Sequence, residues 1–175
     1  DIFITKFNSS GEKMWTQQIG SEAHEVANAV ATDSFGSIYV TGSTNGDFDG
    51  NTNFGNSDLF LMKFNSLGTK QWTKQLGTFK EDYANDLSID SSGNVYVVGQ
   101  TFGGIDGNKN MENGDLYLIK FNSNGIKLWS KQFGSSSLDN ANGVVNDLSQ
   151  NTYLTGLTKG VLGDNTYLGN RDFFI

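Results

Sequence analysis

Oxygen-bearing side chains at every second position make the segment 45–53 the stretch of this sequence best suited to chemistry. Asp47, Asp49, Asn51 and Asn53 alternate there with Phe, Gly and Thr, and the corresponding loop 57 residues later offers Asp106, Asn108, Asn110 and Glu112. A hard cation such as calcium takes about six to eight oxygens, which alternating Asp/Asn side chains and the carbonyls between them can supply. These residues are therefore the candidate metal ligands, and calcium is the one cofactor the sequence suggests. Two features weigh against it: the glycine is misplaced for an EF-hand loop, and a third copy, Gly163-Asp164-Asn165-Thr166-Tyr167, loses most of the ligands. The competing reading is an Asn/Gly-rich solvated turn whose side chains cap backbone groups.

Catalysis finds no footing. His24 is the one histidine, it has no copy elsewhere in the chain, and no Ser or Cys nucleophile stands near it in a recognisable arrangement. Carboxylates abound, but none is singled out by an apolar setting that would push two pKa values apart. No catalytic residue is assigned, and the expectation is a protein that is not an enzyme.

The elements that must hold these loops follow from an internal repeat. Asp1, Asp58, Asp115 and Asp172 stand 57 residues apart, and three units, 1–57, 58–114 and 115–171, superpose without a gap, with 172–175 opening a fourth. Lys6-Phe7-Asn8-Ser9 returns as Lys63-Phe64-Asn65-Ser66 and Lys120-Phe121-Asn122-Ser123; Trp15 returns as Trp72 and Trp129; Gln18 as Gln75 and Gln132. Ala27-Asn28, Asp33, Tyr39, Gly42 and Thr44 recur at the same spacing. Each unit holds four short β-prone or alternating segments closed by turns such as Asn65–Gly68 and Asp90–Gly93, and none shows a sustained helical period. Four short antiparallel strands per unit of this length make an all-β chain of propeller blades.

The run Lys-Phe-Asn-Ser-x-Gly-x-Lys-x-Trp, followed by Ala-Asn, Asp-x-x-Gly and Val-Tyr-Val-x-Gly, closely resembles the bacterial SBBP-type β-propeller repeat. It is similar, more distantly, to the blades of quinoprotein-type propellers, although nothing here matches a quinone-binding or metal triad. The third unit departs from the pattern: Gly36 and Gly93 become Gln150, and Asp49-Gly50 and Asp106-Gly107 become Gly163-Asp164. The resemblance implies that the small-residue strand Ala27–Ala31 and its copies lie innermost and that the tryptophan strands lie outermost, their indoles packed between blades. Whole blades then span about 27–77 and 84–134, with a partial blade at each end of the single segment 1–175. A propeller must close, so the expectation is an incomplete part of a larger ring, extended by further chain or completed by self-assembly.

This topology puts the tight turns Asn8–Gly11 and Asp33–Gly36 on one face and the loops 21–26 and 45–57, with their copies, on the other. Ligands are expected on that long-loop face. Asn28, Asn85 and Asn142 on the inner strand, with Asp33, Asp90 and Asp147 at its exit, either ring a central channel or hydrogen-bond blade turns to one another. Asp1 and its copies should cap loop backbone. Lys6, Lys63 and Lys120 read as a solvated or bridging face, and the tryptophans as packing rather than sugar platforms.

A net charge of −7 disfavours nucleic acid and anionic lipid as partners. No apolar run is long enough to span a membrane. Cysteine and proline are both absent, so the turns rest on 22 glycines and on asparagine. The expected role is a binding or structural module of a secreted or cell-surface bacterial protein, adhesin-like, taking a protein or glycan ligand. The alternatives are a lectin-like propeller with one sugar site per blade junction, and an accessory propeller domain of a larger enzyme.

Overall fold

The apolar runs of the repeat are short, bounded by Asn/Gly turns and rich in residues that suit a buried pleated surface, which is why they settle as strands. The computed structural model describes residues 1–174; Ile175, the end of the fourth-unit fragment, lies outside the described residues. The strands in order are β1 (Ile2–Phe7), β2 (Lys13–Ile19), β3 (Glu25–Thr32), β4 (Ile38–Thr44), β5 (Asp58–Phe64), β6 (Lys70–Leu76), β7 (Asp82–Ile89), β8 (Val95–Thr101), β9 (Asp115–Phe121), β10 (Lys127–Phe133), β11 (Asp139–Asn146), β12 (Thr152–Thr158) and β13 (Asp172–Phe174). Helical structure among the described residues is limited to one 3-10 turn, Ile105–Gly107.

The chain is all-β and built of propeller-like antiparallel blades that do not close. Two four-stranded sheets, β3-β4-β5-β6 and β7-β8-β9-β10, stand between a two-stranded sheet β1-β2 and a three-stranded sheet β11-β12-β13. The middle strands β5, β8 and β9 are buried almost end to end. Their two faces feed different apolar clusters: Leu59, Leu61, Tyr117 and Ile119 meet in one, Phe60, Met62 and Phe64 in another, and Tyr96, Val98 and Leu116 in a third. The core is therefore layered between sheets rather than gathered at one centre.

The same contacts join consecutive sheets. Lys6 Nζ donates to the Ser66 carbonyl at 3.2 Å and Lys63 Nζ to the Ser123 carbonyl at 3.0 Å. The Trp15 indole lies so close to Gly68 that a Cβ there would sit 3.1 Å from the ring, and Trp72 lies likewise 3.2 Å from the Cβ position of Gly125. Both glycines have positive φ, 81° and 74°, so the tight turn and the neighbouring indole impose the same residue for separate reasons.

The pairing of β3 with β4 shifts register between Ala27 and Ala29, that of β7 with β8 between Ala84 and Asp86, and that of β11 with β12 between Ala141 and Gly143. The irregularity thus falls on Asn28, Asn85 and Asn142. A bulge re-aims its side chain, and here it points asparagine at the next sheet: Asn28 Nδ2 donates to the Ala84 carbonyl at 2.7 Å, and Asn85 Nδ2 to the Ala141 carbonyl at 2.8 Å. The exit aspartates do something more local than linking turns. Asp33 Oδ1 accepts from the Phe35 and Ser37 amides, and Asp90 Oδ1 from those of Ser92 and Asn94, so each closes its own hairpin.

Candidate functional site

Each long loop is pinned from within. Phe48 and Ile105 are buried at its tip. The repeated glutamine holds the backbone behind them: Gln75 Oε1 accepts from the Phe48 amide at 3.0 Å while its Nε2 donates to the Gly46 carbonyl and to Asp58 Oδ2. Gln132 makes the same three bonds, to Ile105, Gly103 and Asp115. This role was carried in the sequence only by the 57-residue recurrence of the glutamine and was not recognised from it.

The proposed ligand residues are engaged within these loops. Asp47 Oδ1 accepts from the Asn53 amide, Asn51 Nδ2 donates to the Phe48 carbonyl, and Asn53 Nδ2 donates to the Gly55 carbonyl. Asp49 bonds to Lys70 and Thr73 on β6, and Asp106 to Lys127 and Ser130 on β10. Asn108 Nδ2 donates to the Ile105 carbonyl, Asn110 Nδ2 to the Gly103 carbonyl, and Asn110 Oδ1 accepts from the Glu112 amide. Burial alone would raise the Asp49 and Asp106 carboxyls, but the lysine and hydroxyl hydrogen bonds outweigh it and hold both below the usual range. Among the described residues no three His, Asp or Glu side chains converge on a point where a metal could sit.

The repeated aspartates cap loop backbone, Asp58 at the Phe54 amide, Asp115 at Met111 and Asp172 at Leu168. Asp58 and Asp82 are both fully buried. Desolvation, with the neighbouring Asp47 charge on Asp58 and the Asp58 charge on Asp82, outweighs their hydrogen bonds and raises both carboxyls. Lys120 reaches Asp90 at 3.4 Å and lies 4.7 Å from the centre of the Tyr96 ring. His24 lies exposed in its loop.

A groove of about 820 Å³ opens between the second and third units, lined by Phe102, Leu138, Tyr167, Lys80, Lys159 and Glu81 together with Asn113, Ser137 and Asn170. All of these belong to the copies of the loops 21–26 and 45–57, the two loop classes that the repeat assigns to one face. Asn113 and Asn170 recur in the lining, with Asn56 as their counterpart in the first unit, but the rest does not: Phe102 answers to Asn45 and Lys159, Lys80 to Ala23 and Ser137, and Leu138 to His24 and Glu81. That partial absence of repetition was the available sequence signal, since the blade uses most of the recurring residues and leaves the varying ones for the loop surface.

The β-propeller repeat family SBBP matches residues 15–49, 71–106 and 128–163. The chain is 28% identical, over an alignment of 170 positions that takes in 86% of its residues, to the "Regulatory protein FlaEY" of Caulobacter vibrioides, of which the match covers 17%. It is 24% identical, over an alignment of 186 positions that takes in 90% of its residues, to the "Uncharacterized WD repeat-containing protein L264" of Acanthamoeba polyphaga mimivirus, covering 13% of that protein. The chain thus spans less than a fifth of either relative. The three family matches fall one per unit, each running from the tryptophan strand through the inner hairpin into the long loop, and the chain belongs to the SBBP family of β-propeller repeats.

Proposed function

We propose that this segment is a non-catalytic binding module that receives a protein ligand on its long-loop face, within a bacterial protein displayed at or beyond the cell surface. The observation that carries this reading is the groove between the second and third units. Three apolar side chains, Phe102, Leu138 and Tyr167, stand in its lining among Lys80, Lys159, Glu81 and three smaller polar residues. A concave surface that sets a few apolar side chains beside placed charges offers a ligand both contact area and orientation. Two lysines at its edge, in a chain of net charge −7, favour a ligand that brings a carboxylate.

Because Phe102, Leu138, Tyr167 and the two lysines do not recur, this is one site for the segment rather than one per junction, which sets it apart from a lectin-like propeller with sugar pockets at every junction. The Caulobacter relative is named a regulatory protein, which sits more easily with binding than with turnover. The test is a screen of immobilised acidic peptides and of glycans against the chain and its Phe102→Ala and Lys159→Ala variants. A peptide bound one per chain, weakened about tenfold or more by either substitution, is the expected result. Glycan binding at one per junction, or peptide binding indifferent to both substitutions, would overturn the reading. Protease shaving of intact source cells, with the segment released, checks the placement at the surface.

A further inference from the structure

The short loop between β6 and β7 is set by one buried carboxylate. Asp82 Oδ2 accepts from the Thr78 amide at 2.6 Å and from its hydroxyl at 2.9 Å, and Thr78 Oγ1 in turn accepts from the Lys80 amide at 3.1 Å. The tip Phe79-Lys80 is therefore fixed from beneath. The same bonds recur in the copies, from Glu25 through Ser21 to Ala23 and from Asp139 through Ser135 to Ser137. The scaffold repeats but the tip does not: it reads Glu22-Ala23, Phe79-Lys80 and Ser136-Ser137. Phe79 is 87% exposed, an aromatic that the blade does not use.

The loop that carries a second aromatic lies against this tip. A Cβ at Gly55 would fall 2.3 Å from the Thr78 carbonyl oxygen and 2.5 Å from that of Lys80, so glycine lets the 54–56 backbone approach the tip directly. Asn56 Nδ2 then donates to Glu81 Oε1 at 3.1 Å, and the adjoining Phe54 is 60% exposed. From there the loops follow in a row. The Glu81 carbonyl accepts from the Phe102 amide at 3.0 Å, Asn113 Nδ2 donates to the Ser136 carbonyl at 3.0 Å, and the Leu138 carbonyl accepts from the Lys159 amide at 2.9 Å. Phe54, Phe79, Phe102 and Leu138 thus stand along one strip, on loops of the two four-stranded sheets and the connections that follow them. Lys80 stands between the first pair and the second, and among the described residues neither it nor Lys159 is in an ion pair.

We infer that the ligand of the groove is an extended peptide segment in which an acidic residue is flanked on both sides by apolar ones. This rests on the reading of the groove as a protein-binding site and adds to it a second anchor outside the groove. The acidic side chain pairs with Lys80, one apolar side chain packs against Phe102 and Leu138, and the other packs against Phe79 and Phe54. A row of loops tied end to end is matched along its length by a linear partner. Aromatic residues supply much of the contact at such surfaces, and a tip already held by Asp82 has little freedom left to lose on binding.

Short synthetic peptides carrying one aspartate with leucine on both sides, on one side or on neither, in an otherwise Ser/Gly sequence, distinguish the possibilities when titrated against the 175-residue chain by fluorescence anisotropy. The two-sided peptide should bind one per chain and about tenfold more tightly than the one-sided peptides, and Phe79→Ala or Phe54→Ala should remove that advantage. Replacing its aspartate by asparagine should also weaken it about tenfold. Equal binding of two-sided and one-sided peptides, or no response to the loss of the charge, overturns the inference. Two-sided binding that depends on Phe102 or Lys159 but is indifferent to both Phe79→Ala and Phe54→Ala overturns it too, and leaves the groove standing as the site. If no peptide binds, or binding ignores Phe102→Ala and Lys159→Ala as well, the groove reading falls and the inference with it.

Discussion

At Asn85 one extra residue in the strand converts an ordinary amide into a tie between sheets. Its Nδ2 serves both the Ala141 carbonyl and Asn140 Oδ1, at 2.8 and 2.6 Å. Removing a donor leaves buried acceptors without a partner, so Asn85→Ala should lower unfolding free energy by about 1–2 kcal/mol in urea; a loss within about 0.3 kcal/mol would show that water replaces the amide at no cost. Carboxylates at the same scale set the response to acid. Asp58 and Asp82 have raised folded pKa values, so the folded chain holds their protons more tightly than the unfolded chain, and stability falls as pH rises from the ordinary carboxylate range toward the raised values. Asp33, Asp49, Asp90 and Asp106 are held low in the folded chain, and their contribution is lost as pH falls below that range. The melting temperature should therefore peak at mildly acidic pH, and Asp58→Asn, which keeps an acceptor for the Phe54 amide, should flatten the decline on the alkaline side. An unchanged decline in that variant would place its origin elsewhere.

Turns and loops are the elements that decide how the sheets meet. Gly36 and Gly68 share a positive φ near 80°, yet a Cβ at Gly36 would meet only Ser66 at 3.5 Å while one at Gly68 would press on Trp15 at 3.1 Å. Gly36→Ala should accordingly cost about 1 kcal/mol for backbone conformation alone, and Gly68→Ala clearly more. Equal costs would mean that Trp15 yields freely. Trp72, which also meets Tyr39 edge-on at 6.1 Å between ring centres, should cost about 3 kcal/mol when truncated to Ala. The long loops are held by Phe48, Gln75 and the bonds from Asp49 to Lys70 and Thr73. Calcium would have to take Asp49 and Asp106 from their lysines. Millimolar calcium should leave the melting temperature unchanged, and a rise of more than a few degrees would restore the ligand reading of Asp47–Asn53 and Asp106–Glu112.

Across the whole molecule, stability is graded along the array because each sheet is held by its neighbours. β5, β8 and β9 lie in the middle and are buried nearly throughout, whereas Ile2 is the one buried residue in β1, β2 and β13 together. Amide hydrogen exchange should be slowest in the first group and fastest in the second; uniform protection along the chain would show that the array opens as one unit. The same grading separates scaffold from site. The scaffold consists of what recurs every 57 residues, and the groove is made mostly of what does not.

The blade was legible because its parts are local and periodic. Strand length, the Asn-x-x-Gly turns, the tryptophan and the Ala-Asn pair all repeat, and repetition turns weak propensities into a pattern that chance does not supply. The sorting of loops to one face followed from strand parity alone, and the groove lies on that face. What the sequence left open depends on distances between units. Nothing in Ala27-Asn28-Ala29 announces a bulge, and it takes the register of β3 against β4 to turn Asn28 outward. Nor does an alternation of Asp and Asn say which partners its oxygens have; Asp49 and Asp106 bond to Lys70 and Lys127, each 21 residues downstream of the aspartate it meets. Local spacing determines what a segment can become, and only the tertiary arrangement of loops and strands determines which of its polar groups are already taken.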